Sequence, residues 1–148
     1  IWGMHEVEWL FRAHPSAAFL PLTQVASGGE RSRLMLAIKA VQAQHPSART
    51  IILDEIDTGV SGHVAECMAR LMGDMAGHQQ VIAVTHLPQV AGRADHHLHV
   101  AKTGDSEGVR TEVKALSPRE RVDEVAAMLS GERVTSAALE HAAELLKR

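Results

Sequence analysis

The chain has 148 residues, 45% of them hydrophobic and 22% charged, with a formal net charge of −3. These proportions are those of a globular domain and exclude wholesale disorder, collagen and a coiled-coil rod. No apolar run approaches the ~20 residues that span a bilayer, so no membrane role is expected, and the slightly acidic balance means that any contact with DNA needs a local basic patch. A single cysteine, Cys67, allows no internal disulfide and suits a reducing compartment. The chain opens at Ile1 without a signal-like segment and reads as a piece of a longer polypeptide.

In chain order, Val7, Trp9 and Phe11 alternate with Glu6, Glu8 and Arg12, which predicts a half-buried strand. A loop with Pro15 and Pro21 follows. From Ser27 a helix carries Leu34, Ile38 and Val41 on one stripe and stops near His45-Pro46, because proline disfavours helix at the residue before it. Thr50-Ile51-Ile52-Leu53 has the continuous apolar pattern of a buried parallel strand. Val64, Met68, Leu71, Met72 and Met75 mark an amphipathic helix, with Cys67 expected as a small core residue beside them. Val81-Ile82-Ala83-Val84 is a second buried strand, so Thr50 to Val84 reads as a βαβ unit.

A short helix is expected after Pro88 and a strand over Asp95 to Ala101. Val109, Thr111, Val113 and Ala115 alternate with Arg110, Glu112 and Lys114, a strand with one wet face. Ser117-Pro118-Arg119-Glu120 is a capping box, and Val122, Val125, Ala126 and Leu129 form the stripe of the helix that Gly131 ends. Leu139, Ala142, Ala143 and Leu146 share a face of a last helix. With no repeat and no internal boundary, residues 1–148 read as one α/β unit, parallel strands at the centre and antiparallel ones at the rim.

Four segments carry chemistry. Ser27-Gly28-Gly29-Glu30 opens a helix; free N–H groups and the helix dipole there favour an anion, and two glycines allow another molecule close to the backbone. The plain alternative is a capped helix after a flexible loop. Asp54 and Glu55 end an apolar strand, where ligand crevices of parallel sheets form. One carboxylate can hold Mg2+ and the other can orient and deprotonate a water; the alternative is a solvated acidic loop. Ile56-Asp57-Thr58-Gly59-Val60-Ser61-Gly62 is a tight polar stretch in which Ser61 can cap the next helix, or a plain turn. Thr85-His86 ends the second strand on the same edge, and His86 can reach a phosphate oxygen or a bound water, or be an ordinary surface histidine.

Taken together in chain order, these segments resemble the C-terminal lobe of an ABC-type ATPase head. Ser27 to Glu30 is similar to the signature motif, Ile51 to Glu55 to a Walker B strand with its catalytic glutamate, Ile56 to Gly59 to the D-loop, and His86 to the switch histidine. Ile56 and Glu30, where transporters usually carry proline and glutamine, point to the SMC-like branch. The longer runs Val25 to Ala37, Asp54 to Gly62 and Thr85 to Ala91 resemble the RecN family, although Arg31 stands where that family more often has an apolar residue. The resemblance implies a fold that is half of a P-loop ATPase head, ATP and Mg2+ as cofactors, and a cytoplasmic, nucleoid-associated protein acting in recombinational DNA repair.

It also implies roles. Asp54 supports Mg2+, Glu55 activates water and His86 contacts the γ-phosphate side. Ser27, Gly28, Gly29 and Glu30 reach the nucleotide of a second head across a homodimer, with Asp57 at the seam. No Gly-x-x-x-x-Gly-Lys-Ser/Thr occurs in the chain, so an N-terminal Walker A lobe of the same protein is the expected partner, DNA is met through the full-length protein, and the chain alone is expected to be inactive. A RecF-like or transport head, or a catalytically silent dimerisation or DNA-interaction module, is the alternative. His96, His97 and His99 lack ligand spacing for a metal, Met68, Met72 and Met75 read as core filling, and Arg31, Arg33, Lys39 and Arg49 as a solvated helix face.

Overall fold

In a computed structural model that describes residues 3, 6–12, 14–25, 27–44, 50–54, 56–105, 108–131 and 133–147, the elements follow one another as β1 (Leu10–Phe11), β2 (Leu20–Pro21), α1 (Leu22–Val25), α2 (Gly28–Ala43), β3 (Thr50–Leu53), α3 (Gly62–Ala76), β4 (Gln80–Ala83), α4 (Pro88–Arg93), β5 (Leu98–Asp105), β6 (Gly108–Ala115), α5 (Pro118–Ser130) and α6 (Ser136–Leu145). β1 and β2 pair antiparallel, β3 and β4 pair parallel, and β5 and β6 form an antiparallel hairpin with Leu98 opposite Ala115.

Local chemistry sets the helix starts. Ser27 caps α2: its hydroxyl accepts from the Glu30 N–H, and its own N–H donates to Glu30 Oε2 at 2.8 Å. Ser117 and Glu120 repeat the device on α5, which Gly131 closes with a φ of 71°. In α3, Ala65, Met68, Ala69, Met72 and Met75 recur at helical spacing and are all buried, and this stripe packs with Leu36, Ala43, Leu53, Val60, Leu87 and Val90 into the main core. A second cluster joins Ala91, Val125, Ala126 and Ala142. The six-residue α4, with Leu87 just before it, links the two, Leu87 and Val90 lying in one core and Ala91 in the other. Arg121 of α5 fastens this link by donating to the carbonyls of Ala94 at 2.6 Å and Asp95 at 3.2 Å, just past the end of α4.

Several sequence expectations are corrected. The opening strand is only two residues long, and Val7 and Trp9 are exposed rather than half-buried. Part of the proline loop folds as β2 and α1. Neither β3 nor β4 is buried on both faces: Ile51, Leu53, Val81 and Ala83 face the main core, whereas Ile52 is 68% exposed and Ile82 and Val84 are also open. Continuous apolar character reports two covered faces, and this chain covers one. β5 begins at Leu98, not Asp95, and β6 is exposed along its whole length. On α2 the buried residues are Leu36 and Ala43, while Val41 is exposed; Leu34 and Ile38 instead line a cleft with Trp9 and Leu22. Cys67 is exposed: it sits one residue before Met68 and so is rotated about 100° off the buried stripe, where Arg70 donates to its sulfur at 3.5 Å. The expected helix stop at His45-Pro46 and the side chain of Arg49 lie outside the described residues.

Candidate functional site

The parallel register places Leu53 beside Ala83, and the Val84 N–H donates to the Leu53 carbonyl at 2.8 Å, which carries the pairing one step past β4. Asp54 and the Thr85-His86 pair therefore leave the sheet on one edge. Asp54 is exposed there, at the carboxyl end of a parallel strand, where open α/β sheets bind ligands. Glu55 lies outside the described residues.

Asp57, expected at a subunit seam, turns its carboxylate inward. It is 3% exposed, and one oxygen, Oδ2, accepts from the Thr85 hydroxyl at 2.6 Å and the His86 backbone N–H at 3.0 Å and lies 3.2 Å from His86 Nδ1. The Thr85 hydroxyl in turn accepts from the Leu87 N–H at 3.0 Å. These bonds offset the cost of burying the carboxylate. They also tie the turn after β3 to the turn after β4. The His86 side chain remains 69% exposed, so its far edge faces outward from a fixed base.

The tip of α2 reaches the same region. A Cβ built on Gly29 would lie 3.5 Å from the Thr58 carbonyl oxygen, next in the chain to Asp57, and 3.0 Å from the mobile end of Arg33. Gly28 is different: a Cβ there would meet nothing within 4 Å. Its backbone is helical rather than left-handed, so nothing among the described residues requires glycine at 28. Ser27 is exposed at the tip. The hydrogen bonds from the Ser27 backbone and hydroxyl, with Arg33 nearby, hold the Glu30 carboxyl below the usual carboxylate range. That carboxylate is thereby occupied in the cap. Gly59, in the turn between, has a φ of 70°, which favours glycine. Ser61 sits at the N-cap position of α3 without a side-chain capping bond.

The expected residues Ser27, Gly28, Gly29, Glu30, Asp57 and His86 are thus brought into two linked groups, one at the α2 tip and one at the strand ends with Asp54. Thr85 was expected only as a neighbour of His86, and its bridge between Asp57 and Leu87 carried no sequence signal. No group of three or more His, Cys, Asp or Glu side chains with metal-site geometry occurs among the described residues. His99 instead pairs with Glu124 at 3.7 Å, and burial holds His97 below the usual histidine range.

No family model matches the chain. The DNA repair protein RecN of Halalkalibacterium halodurans is 44% identical over 144 residues, covering 97% of this chain and 26% of that protein. The RecN proteins of Bacillus subtilis and Streptomyces coelicolor are 43% and 45% identical, covering 99% and 98% of this chain and 25% of each relative. Among solved structures, a chain described under "Structural biochemistry of ATP-driven dimerization and DNA stimulated activation of SMC ATPases" matches with a TM-score of 0.59 at 19% identity, over 80% of this chain and 70% of that one. The chain spans about a quarter of the length of the curated relatives it matches. By sequence it belongs with the RecN proteins, as one segment of them, and its fold is similar to that of the SMC ATPase chain.

Proposed function

We propose that this chain is the C-terminal half of an ATP-hydrolysing head in a protein of DNA double-strand-break repair, and that it works in two copies. The RecN relatives are DNA repair proteins, and the SMC ATPase neighbour is described for ATP-driven dimerisation and DNA-stimulated activation. The observation that carries the reading is the shared edge. The register ends the two strands together, so that Asp54 and Thr85-His86 follow on one edge, as a Walker B strand and a switch histidine would.

The donor set fits ATP with Mg2+. Mg2+ takes few protein oxygens and keeps waters and phosphate oxygens for the rest, so one exposed carboxylate, Asp54, would suffice to hold it. Bound Mg2+ supplies charge neutralisation at the phosphates. The chain's own residues do the remainder. Glu55 takes the proton of the attacking water, His86 offers its ring to the terminal phosphate, and the Ser27 hydroxyl with the N–H groups of Gly28 and Gly29 meets the nucleotide of the opposite head.

The open glycine position supports this two-head reading. Among the described residues Gly28 has free space about it, which leaves its bare backbone open to a second head. The uncovered apolar face of Ile52, Ile82 and Val84 supports a further layer on the sheet, supplied by a Walker A lobe of the same protein. The test is Glu55→Gln in the full-length protein. ATP-dependent dimerisation is retained and turnover falls by about 100-fold or more. Equal turnover in both proteins overturns the ATPase reading. The 148-residue chain alone is expected to hydrolyse no ATP.

A further inference from the structure

We propose that Asp57 is a positioning residue for His86, fixing which ring nitrogen carries a proton and which one faces outward. The proposal rests on the reading of His86 as the group that meets the terminal phosphate.

Asp57 Oδ2 accepts from two consecutive residues, the Thr85 hydroxyl at 2.6 Å and the His86 backbone N–H at 3.0 Å, and lies 3.2 Å from His86 Nδ1, within ion-pair distance. The backbone bond places the Cα of His86, and the ring contact sets the direction of its side chain. The Thr85 hydroxyl passes the constraint on by accepting from the Leu87 N–H. The carboxylate is itself rigid, since its side chain is 4% exposed, while the His86 ring is 69% exposed. A carboxylate accepts and does not donate, so at 3.2 Å a hydrogen on the nitrogen that faces Asp57 is favoured over a lone pair.

The neutral His86 ring is therefore the Nδ1–H tautomer, with the Nε2 lone pair on the exposed side. After gaining a proton the same ring presents Nε2–H outward, as a donor to an anion. Asp57 thus gives one fixed ring two defined states toward the phosphate side. Without it, neither the tautomer nor the ring direction is set. Asp57 acts here through His86 and does not itself touch a ligand.

The tautomer of His86 is read by 15N NMR in full-length protein labelled at histidine, at a pH where the ring is neutral, with His86→Gln identifying its signals. Wild-type protein is expected to show His86 protonated on Nδ1. Asp57→Ala shifts it to a mixed or Nε2-protonated ring while the other histidines keep their signals, and Thr85→Val leaves the tautomer as in wild type. In turnover assays Asp57→Ala lowers kcat by about tenfold or more at nearly constant KM for ATP, and adds no further loss to His86→Gln.

A wild-type His86 protonated on Nε2 overturns the proposal without recourse to any variant. An unchanged tautomer in folded Asp57→Ala, or losses that multiply with those of His86→Gln, overturn it as well. If the wild-type protein hydrolyses no ATP, the ATPase reading fails, and the NMR result still decides the role of Asp57.

Discussion

Gly92 in α4 lies against Leu145 at the end of α6: a Cβ built on Gly92 would stand 3.0 Å from the Leu145 Cβ and 3.1 Å from its carbonyl oxygen. This close approach lets α4 and α6 seal the second core, to which Ala91 and Ala142 both belong. Because the obstacle includes backbone, it cannot swing aside.

Gly92→Ala is therefore expected to destabilise the fold by about 1–3 kcal/mol, the usual cost of overpacking a close contact. Gly73 in α3 is the control. A Cβ there meets nothing within 4 Å, and Gly73→Ala should raise stability by up to about 1 kcal/mol through helix propensity. Denaturant unfolding of the two variants checks the pair; equal effects would contradict the Gly92–Leu145 contact.

Acid should weaken the fold in two steps. Burial holds His97 below the usual histidine range; Glu124 opposes that shift, and Arg121 and His99 add to it. The folded state thus binds a proton there less readily than the unfolded chain. His97 contributes stability that is present at neutral pH and is lost as pH falls below the unfolded value of about 6.5. Glu120 acts at lower pH. Hydrogen bonds from Lys114 and Ser117 bring its carboxyl down to about 2, so its contribution is complete above the unfolded value near 4.5 and disappears as pH falls toward 2. Thermal unfolding against pH should show both slopes. His97→Gln should flatten the first and Glu120→Gln the second, since glutamine still serves a capping box.

What was legible in the sequence was mostly local. The Ser27 helix start and the Ser117/Glu120 capping box are each carried by a few adjacent residues, and both helices start where those patterns place them. The βαβ unit was also legible, because apolar runs and the Met stripe of α3 encode periodicity within one element. What was not legible depends on partners far away in the chain. Cys67 fell outside the core because a one-residue difference rotates a helix face, and the true stripe is decided by what α3 packs against. The apolar strands β3 and β4 could not reveal which of their faces this chain covers. At the site, the order of the motifs marked the strand ends and the α2 tip. The inward turn of Asp57 depends on contacts with residues 28 and 29 positions later, which no spacing rule encodes.

The α2 tip offers the sharpest separation of folding from function. Gly28 occupies the first helical position with open space about it and an ordinary helical backbone. A methyl group there meets none of the described residues; replacing glycine at such a position typically adds about 0.4–1 kcal/mol by restricting the unfolded state. If a second head brings its nucleotide against this backbone, the same methyl group blocks the approach and one N–H contact is lost. Gly28→Ala is thus expected to unfold no more easily than wild type, while ATP-dependent dimerisation of the full-length protein is lost and turnover falls with it. Sedimentation with ATP, read beside a denaturant curve, makes the comparison. Normal dimerisation in a stable Gly28→Ala protein would remove the α2 tip from the interface and leave its glycine pair without a functional reason.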